Sequence, residues 1–157
     1  MSSVAAERAA KESVQIASLC RAYQTHGHLM ADVDPLELKT AYKGNESIAS
    51  KYHFPDQKLL KLLDYKNYGF TEQDLDREFY IHSIEKGSIR DQKRTWKLRD
   101  LLTAYRTAYC EKIGVEFMHI PKKEVCDWIR TNFEGIQYNR LSKEEHIHLY
   151  ERLNWSA

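Results

Sequence analysis

The strongest constraint on the fold is an apolar stripe near the middle of the chain. Its members recur at intervals of three and four residues: Leu98, Leu101, Leu102, Tyr105 and Tyr109. This spacing places them on one face of an amphipathic α-helix, with Thr95 as its expected N-cap. We therefore predict that this helix forms the centre of a hydrophobic core.

A second helix is predicted after this stripe, from Pro121 onward. Its apolar residues are Val125, Trp128, Ile129 and Phe133. Between the two helices, Gly114 interrupts the pattern and residues 115–120 form a short apolar run, which could make a short strand. Two helices joined by an apolar crossing are typical of a mainly helical domain.

The remaining helices are predicted from helix-start signals and composition. Residues 4–26 are expected to form one long helix, with Val14, Ala17, Cys20, Ala22 and Tyr23 on its apolar side and Gly27 as a left-handed C-cap. Thr71 begins a further predicted helix that buries Leu75 and Phe79. Ser142 and Glu145 form a capping box for a last helix. That helix reaches the end of the sequence without a stop signal, which favours a piece of a longer polypeptide; the alternative is ordinary fraying at a natural terminus.

Composition and charge narrow the classes of function. The 157 residues include 24 Lys and Arg against 23 Asp and Glu, a net charge of +1, so no global field attracts nucleic acid or an anionic membrane. No apolar run approaches the roughly 18 residues that span a bilayer. Only 6 Gly and 3 Pro are present, which favours helices. The length and composition predict a single all-α domain over residues 1–157 with neither nucleic-acid nor membrane partners.

Sequence motifs for chemistry are scarce. All six glycines are isolated, so no phosphate-cradling loop is present, and the three cysteines form no C-x-x-C pair, which is typical of buried thiols in a reducing compartment. His26 and His28, which flank Gly27, are weak candidates for a ligand-binding site, although capping or surface histidines explain them more simply. Glu116 and His119 have the E-x-x-H spacing of di-iron bundles, but one such motif is too few for that site. We therefore expect neither catalytic nor metal-binding residues in this chain.

Several short stretches nevertheless resemble a known enzyme in the same order. They are Arg21-Ala22-Tyr23-Gln24 with Gly27-His28 and Asp34-Pro35-Leu36, then Phe70-Thr71-Glu72, Asp74-Leu75-Asp76-Arg77-Glu78-Phe79, Tyr109-Cys110 with residues 113–120, and Trp128-Ile129-Arg130. Together they resemble the N-terminal portion of the decarboxylase (first) component of 2-oxoglutarate dehydrogenase. The related enzyme acting on 2-oxoadipate is the alternative within the same superfamily.

The resemblance implies a helical N-terminal segment of a larger α/β enzyme that uses thiamine diphosphate and magnesium. Such an enzyme decarboxylates 2-oxoglutarate in the tricarboxylic acid cycle and transfers the succinyl group to lipoyl groups of the dihydrolipoyl succinyltransferase component. The implied parent is a homodimer in the mitochondrial matrix, or in the cytoplasm of a bacterium. The Gly-Asp-Gly motif that holds the diphosphate in that family is absent here. The chain is therefore expected to be non-catalytic by itself and to pack on the parent's catalytic core. The alternative is a free-standing helical interaction module.

Overall fold

A computed structural model describes residues 3–36, 60–81, 88–135 and 142–155 of the chain. Residues 37–56, whose mixed sequence favours irregular structure, and residues 57–59, the start of a possible short helix over residues 57–65, lie outside the described residues. Within the described residues the fold is mainly helical, as the sequence predicts.

The first helix, α1, spans Ser3–His26 and confirms the predicted long helix. It buries Ile16, Leu19, Cys20 and Tyr23, which follow the spacing of one helical face. Val14 and Ala17 lie on the opposite side, and Val14 is 66% exposed. The predicted apolar side was therefore wrong at these two positions, because Val14 falls about half a turn and Ala17 about a third of a turn away from the buried stripe.

The predicted central helix is confirmed as α2, which spans Leu98–Tyr109. Every residue of its apolar stripe is buried. The helix packs on α1 through a row of aromatic rings: the Tyr23 and Tyr105 centroids are 5.8 Å apart, and those of Tyr105 and Tyr109 are 6.0 Å apart. Tilted and offset rings at this separation add favourable electrostatics to the burial of apolar surface.

A two-stranded antiparallel sheet precedes α2 and was not predicted. Strand β1 spans Glu78–Tyr80, strand β2 spans Thr95–Lys97, and Phe79 pairs with Trp96. Both of these side chains are buried, while their neighbours in each strand are exposed. The prediction that Thr95 caps α2 was wrong: Thr95 belongs to β2, and Lys97 occupies the cap position.

Two further sequence predictions fail next to this sheet. Residues 71–79 do not form a regular α-helix, because a single 3-10 turn, Glu72–Asp74, is followed by β1. Thr71 does start this turn, in a capping box with Asp74. The possible strand at residues 115–120 is irregular, since no described backbone segment pairs with it as a strand.

The third helix, α3, spans Lys123–Gly135. Its buried face consists of Cys126, Arg130 and Glu134, which are four residues apart, and Ile129 and Phe133 pack beside them. Trp128 is 68% exposed. Two charged side chains, rather than the largest aromatic one, therefore face the core.

The last helix, α4, spans Lys143–Trp155, and its capping box is confirmed. The Ser142 amide donates to Glu145 Oε2 at 2.7 Å, and the Glu145 amide donates to Ser142 Oγ at 3.2 Å. No residue of α4 is buried against the other described residues.

Candidate functional site

The two candidate histidines lie where α1 ends. His26 is the last residue of α1 and is half-buried, and His28 lies in the 3-10 turn Gly27–Met30 that follows. The structure shows no hydrogen bond from the His26 side chain to the turn that it precedes. The two residues belong to different helical segments.

Gly27, between the two histidines, is required for close packing. A Cβ added at this position would lie 2.5 Å from Tyr109 Cβ, well inside van der Waals contact. The glycine does not adopt the left-handed conformation predicted for a C-cap. That prediction was wrong because the chain continues into a 3-10 turn, and the absence of a side chain serves the contact between α1 and α2.

His28 faces an acidic side chain across the surface. Its Nε2 lies 3.8 Å from Glu116 Oε2, and His119 Nδ1 lies 3.8 Å from the other oxygen, Glu116 Oε1. Glu116 and His119 are largely exposed. Because the two imidazoles approach different oxygens from distances longer than hydrogen bonds, the three side chains do not converge on one point. Across the described residues no three His, Cys, Asp or Glu side chains are arranged to hold a metal ion.

The most elaborate polar arrangement is buried and centres on Glu134, which is 4% exposed. Its Oε1 accepts hydrogen bonds from Gln24 Nε2 at 2.9 Å and from the Tyr109 hydroxyl at 2.7 Å. Its Oε2 accepts a hydrogen bond from the Ile89 amide at 2.8 Å. These donors come from α1, α2 and the turn before β2, so one carboxyl group joins four segments. We call Glu134, Gln24, Tyr109 and Ile89 the Glu134 cluster.

Sequence reasoning missed the Glu134 cluster because it treats charged residues as surface residues. A signal was present in the spacing. Cys126, Arg130 and Glu134 recur every four residues, in phase with Ile129 and Phe133. A charged residue in phase with an apolar stripe indicates a buried, satisfied polar group. Gln24, Ile89 and Tyr109 all donate hydrogen bonds to Glu134. This arrangement therefore stabilises the packing of the segments that carry them.

Two of the cysteines, Cys20 and Cys110, are held as protonated thiols. Burial raises the pKa of Cys20 to about 12, since the thiolate would be desolvated beside Tyr105. Burial likewise raises the pKa of Cys110 to about 11. Both thiols are protonated at neutral pH, and a protonated thiol is a poor nucleophile.

A second polar group connects α1 to the turn before β1. Both oxygens of Glu12 accept from Arg77 Nη2, at 2.9 Å and 3.0 Å, and Arg77 also pairs with Asp74. Burial alone would raise the pKa of Glu12, but the hydrogen bonds from Arg77 and Arg8 outweigh it and keep that pKa below its usual value. Hydrogen bonds from the Thr71 amide and hydroxyl, with that from Arg77, lower the pKa of Asp74 to about 2. These charged side chains therefore stabilise the fold and are not arranged around a ligand site.

The described residues do not fit the cofactor that the resemblance implies. A magnesium-bound diphosphate needs several converging oxygen ligands and backbone amides that approach the phosphates closely. The sequence has no clustered glycines, and the described carboxylates are engaged in ion pairs or do not converge.

Within the described ranges, no helix combines the length and apolar character needed to cross a bilayer.

Comparison with known proteins identifies relatives over nearly the whole chain, although no family model matches it. The mitochondrial 2-oxoglutarate dehydrogenase of Dictyostelium discoideum is 34% identical over 146 residues, which are 92% of this chain and 13% of the relative. The mitochondrial enzyme of the same name from Saccharomyces cerevisiae is 31% identical over 145 residues, again 92% of this chain and 13% of the relative. A multifunctional 2-oxoglutarate metabolism enzyme of Mycolicibacterium vanbaalenii is 34% identical over 144 residues, 91% of this chain and 10% of the relative.

These matches confirm the resemblance seen in the sequence. The chain spans only about an eighth of the length of the curated relatives it matches. Their shared identity extends through α1, the sheet, α2 and α3, and is not confined to one motif, since it covers nine-tenths of the chain. The chain is thus related over nearly all of its length to the N-terminal portion of the 2-oxoglutarate dehydrogenases.

Proposed function

We propose that this chain is the helical N-terminal part of a 2-oxoglutarate dehydrogenase decarboxylase component. The observation that carries the proposal is the 31–34% identity to two mitochondrial 2-oxoglutarate dehydrogenases over 92% of the chain. The parent enzyme would oxidatively decarboxylate 2-oxoglutarate and pass the succinyl group to lipoyl groups of the succinyltransferase component. The 157 residues themselves form one domain without catalytic residues.

The structure supports a non-catalytic role for this part. The Glu134 cluster and the Glu12–Arg77 pair use their polar atoms to join segments of the fold, and the Cys20 and Cys110 thiols are protonated. His26 and His28 lie at the partly buried turn after α1, and in this proposal that turn is the candidate contact with the catalytic core. In this proposal thiamine diphosphate and magnesium bind to the parent's catalytic domains, outside this chain.

The names of the relatives support a proposal for the place of action. Those from Dictyostelium discoideum and Saccharomyces cerevisiae are named as mitochondrial, whereas the relative from Mycolicibacterium vanbaalenii is bacterial. We propose the mitochondrial matrix for a eukaryotic parent and the cytoplasm for a bacterial one. The parent would act as a homodimer bound to dihydrolipoyl succinyltransferase.

The mass of the native polypeptide tests this proposal. An antibody raised against the chain is used to probe an extract of the source organism. A band several times heavier than 18.5 kDa is expected. The immunoprecipitated protein should then release CO₂ from 2-oxoglutarate only when thiamine diphosphate and magnesium are present. Turnover of 2-oxoadipate in preference to 2-oxoglutarate would instead indicate the related enzyme.

A band near 18.5 kDa would refute the proposal, because the chain would then exist without catalytic domains. The free-standing helical interaction module would be the remaining interpretation. The purified 157-residue chain serves as the control: it should show no thiamine-dependent turnover, and measurable turnover would contradict the absence of catalytic residues.

A further inference from the structure

A small pocket opens at the C-terminal end of α2. Its volume is about 110 Å³, and it is lined by Thr107, Ala108, Glu111, Lys112 and Ile113. A water molecule takes up about 30 Å³ in the liquid, so the pocket has room for about four non-hydrogen atoms. We call it the α2 pocket.

The wall of the α2 pocket that follows the helix is held in place by the segment after α1. The Asp32 amide donates a hydrogen bond to the Glu111 carbonyl oxygen at 2.7 Å, and the Asp32 carboxylate pairs with Lys112. Ile113 is 49% exposed, so this wall presents an apolar side chain to solvent. A concave site with apolar groups on a fixed backbone is present before any ligand binds.

The charge of the α2 pocket is negative. Among the described residues the Glu111 carboxylate makes no ion pair, whereas the Lys112 ammonium group is paired with Asp32. Arg106, on the last turn of α2, is directed to α1 instead, because its Nε donates to the Tyr23 hydroxyl at 3.2 Å. The last carbonyl groups of α2 carry the negative end of the helix dipole and lie at the same end of the helix. A cation therefore complements this pocket, and an anion does not.

A lysine side chain combines the two properties that the α2 pocket favours. Its four-carbon stem matches the volume of the pocket, and such a stem can lie on apolar surface while the charged group stays at the rim in water. The ammonium group has three donors that point in different directions, so it can serve both a carboxylate and nearby helix carbonyl groups. The planar guanidinium group of arginine is instead suited to two parallel hydrogen bonds with a single carboxylate.

We propose that the α2 pocket receives a lysine side chain of a partner protein, with the stem against Ala108 and Ile113 and the ammonium group at Glu111. An isolated amine would bind so small a pocket only in the millimolar range, because few atoms make contact. Occupancy therefore requires the additional contact area of a protein surface, within which the pocket selects a cation. The pocket is formed by this chain alone, so the proposal does not depend on the proposed function.

Titration of the 157-residue chain with three blocked amino acids tests the proposal, with the methyl NMR signals of Ala108 and Ile113 as the readout. Nα-acetyl-lysine methylamide should shift both signals saturably, with a millimolar dissociation constant. The norleucine analogue keeps the stem but lacks the ammonium group, so it should bind more weakly, and the glutamate analogue should not bind. Added salt should weaken the binding of the lysine analogue and leave that of the norleucine analogue unchanged.

Three variants assign the binding to the two parts of the pocket. Glu111→Gln keeps the shape of the rim and removes its charge, so it should weaken binding of the lysine analogue about two- to fivefold and leave the norleucine analogue unaffected. The matched control is Glu124→Gln on α3, which removes another exposed carboxylate and should change neither. Ile113→Ala removes part of the apolar wall and should weaken both analogues. Because these side chains are exposed, the variants should fold normally.

The absence of a saturable shift with the lysine analogue overturns the proposal. Equal binding of the norleucine or glutamate analogue also overturns it, since the pocket would then not select a cation. Equal effects of Glu111→Gln and Glu124→Gln would place the recognised charge elsewhere and would likewise contradict it. The immunoblot that tests the proposed function is unaffected by these outcomes.

Discussion

Replacing Glu134 by alanine should destabilise the fold by about 3–5 kcal/mol. The change removes the acceptor for Gln24 Nε2, the Tyr109 hydroxyl and the Ile89 amide, whose donor–acceptor distances are 2.7–2.9 Å. A hydrogen bond to a charged acceptor contributes about 1.5–3 kcal/mol, and a buried donor left without a partner adds a desolvation penalty. The three contributions share one carboxyl group, so their sum is an upper bound and the expected loss is smaller.

Two milder variants divide this loss into its parts. Tyr109→Phe keeps the aromatic ring that packs on Phe133 and removes one donor, so about 1.5–3 kcal/mol should be lost. Glu134→Gln can retain an oxygen facing Gln24 and Tyr109, but its amide group then meets the Ile89 amide donor to donor. Its cost should therefore resemble that of losing one hydrogen bond. In the double variant Glu134→Gln/Tyr109→Phe, the two losses should not add, because both changes act on the same cluster.

Urea denaturation followed by far-ultraviolet circular dichroism measures these differences as shifts of the unfolding midpoint. The control is Glu151→Ala, which removes an exposed carboxylate and should change the free energy of unfolding by no more than about 0.5 kcal/mol. If Glu134→Ala costs no more than Glu151→Ala, the inference that one buried carboxyl group joins four segments is refuted. A domain of this size is stable by about 5–15 kcal/mol, so the expected effect is large enough to measure.

Three further predictions test other parts of the fold. Gly27→Ala should destabilise the protein by about 1–3 kcal/mol because its Cβ would lie 2.5 Å from Tyr109 Cβ, whereas Gly114→Ala, with its nearest atoms at 3.7 Å, should be close to neutral in the same urea assay. Because the folded-state pKa of Asp74 is depressed to about 2, its stabilising contribution is present above its ordinary pKa near 3.8 and is lost as the pH falls toward 2. The stability difference between wild type and Asp74→Asn should therefore shrink between pH 4 and pH 2, and a difference that stays constant over this interval would contradict the assignment. Native Cys20 and Cys110 should react with iodoacetamide at pH 8 far more slowly than in urea; rapid labelling of either in the folded chain would show that it is not held as a buried thiol.

The helices were predictable from sequence because their signals are local. The stripe from Leu98 to Tyr109, the run that became α1 and the capping box at Ser142 each lie within one element. Because side chains three or four residues apart share one face of a helix, the pattern of such an element is visible without knowledge of its tertiary contacts. The mainly helical fold followed from these signals alone.

The sheet was not predictable in this way. Each strand has three residues, and the pairing joins Glu78 to Lys97 and Tyr80 to Thr95 across an intervening segment of the chain. Three residues are too few for an alternating pattern to stand out, so the pairing partner decides the structure. The same nonlocal pairing explains why Thr95, a good N-cap by type, lies in a strand instead.

The candidate site shows the corresponding limit for polar residues. The sequence pointed to His26 and His28, which lie at a partly buried turn, and it overlooked Glu134, which accepts three buried hydrogen bonds. A histidine is conspicuous because its chemistry is versatile, whereas a buried carboxylate is recognisable only when its donors are known. Those donors are 110, 45 and 25 residues away in the chain.

The orientation of α3 illustrates why apolar content alone did not determine its buried face. With Trp128 inward, the helix would bury its largest aromatic side chain, a gain of about 1.5–3 kcal/mol or more from apolar area. That rotation would carry Glu134 away from Gln24, Tyr109 and the Ile89 amide and leave three buried donors without an acceptor. The combined penalty for those donors exceeds the gain from one tryptophan, so the hydrogen bonds determine the rotation. Trp128 remains 68% exposed as a consequence. The local apolar pattern of α3 does not determine its rotation about the helix axis, and hydrogen bonds from residues distant in the chain do.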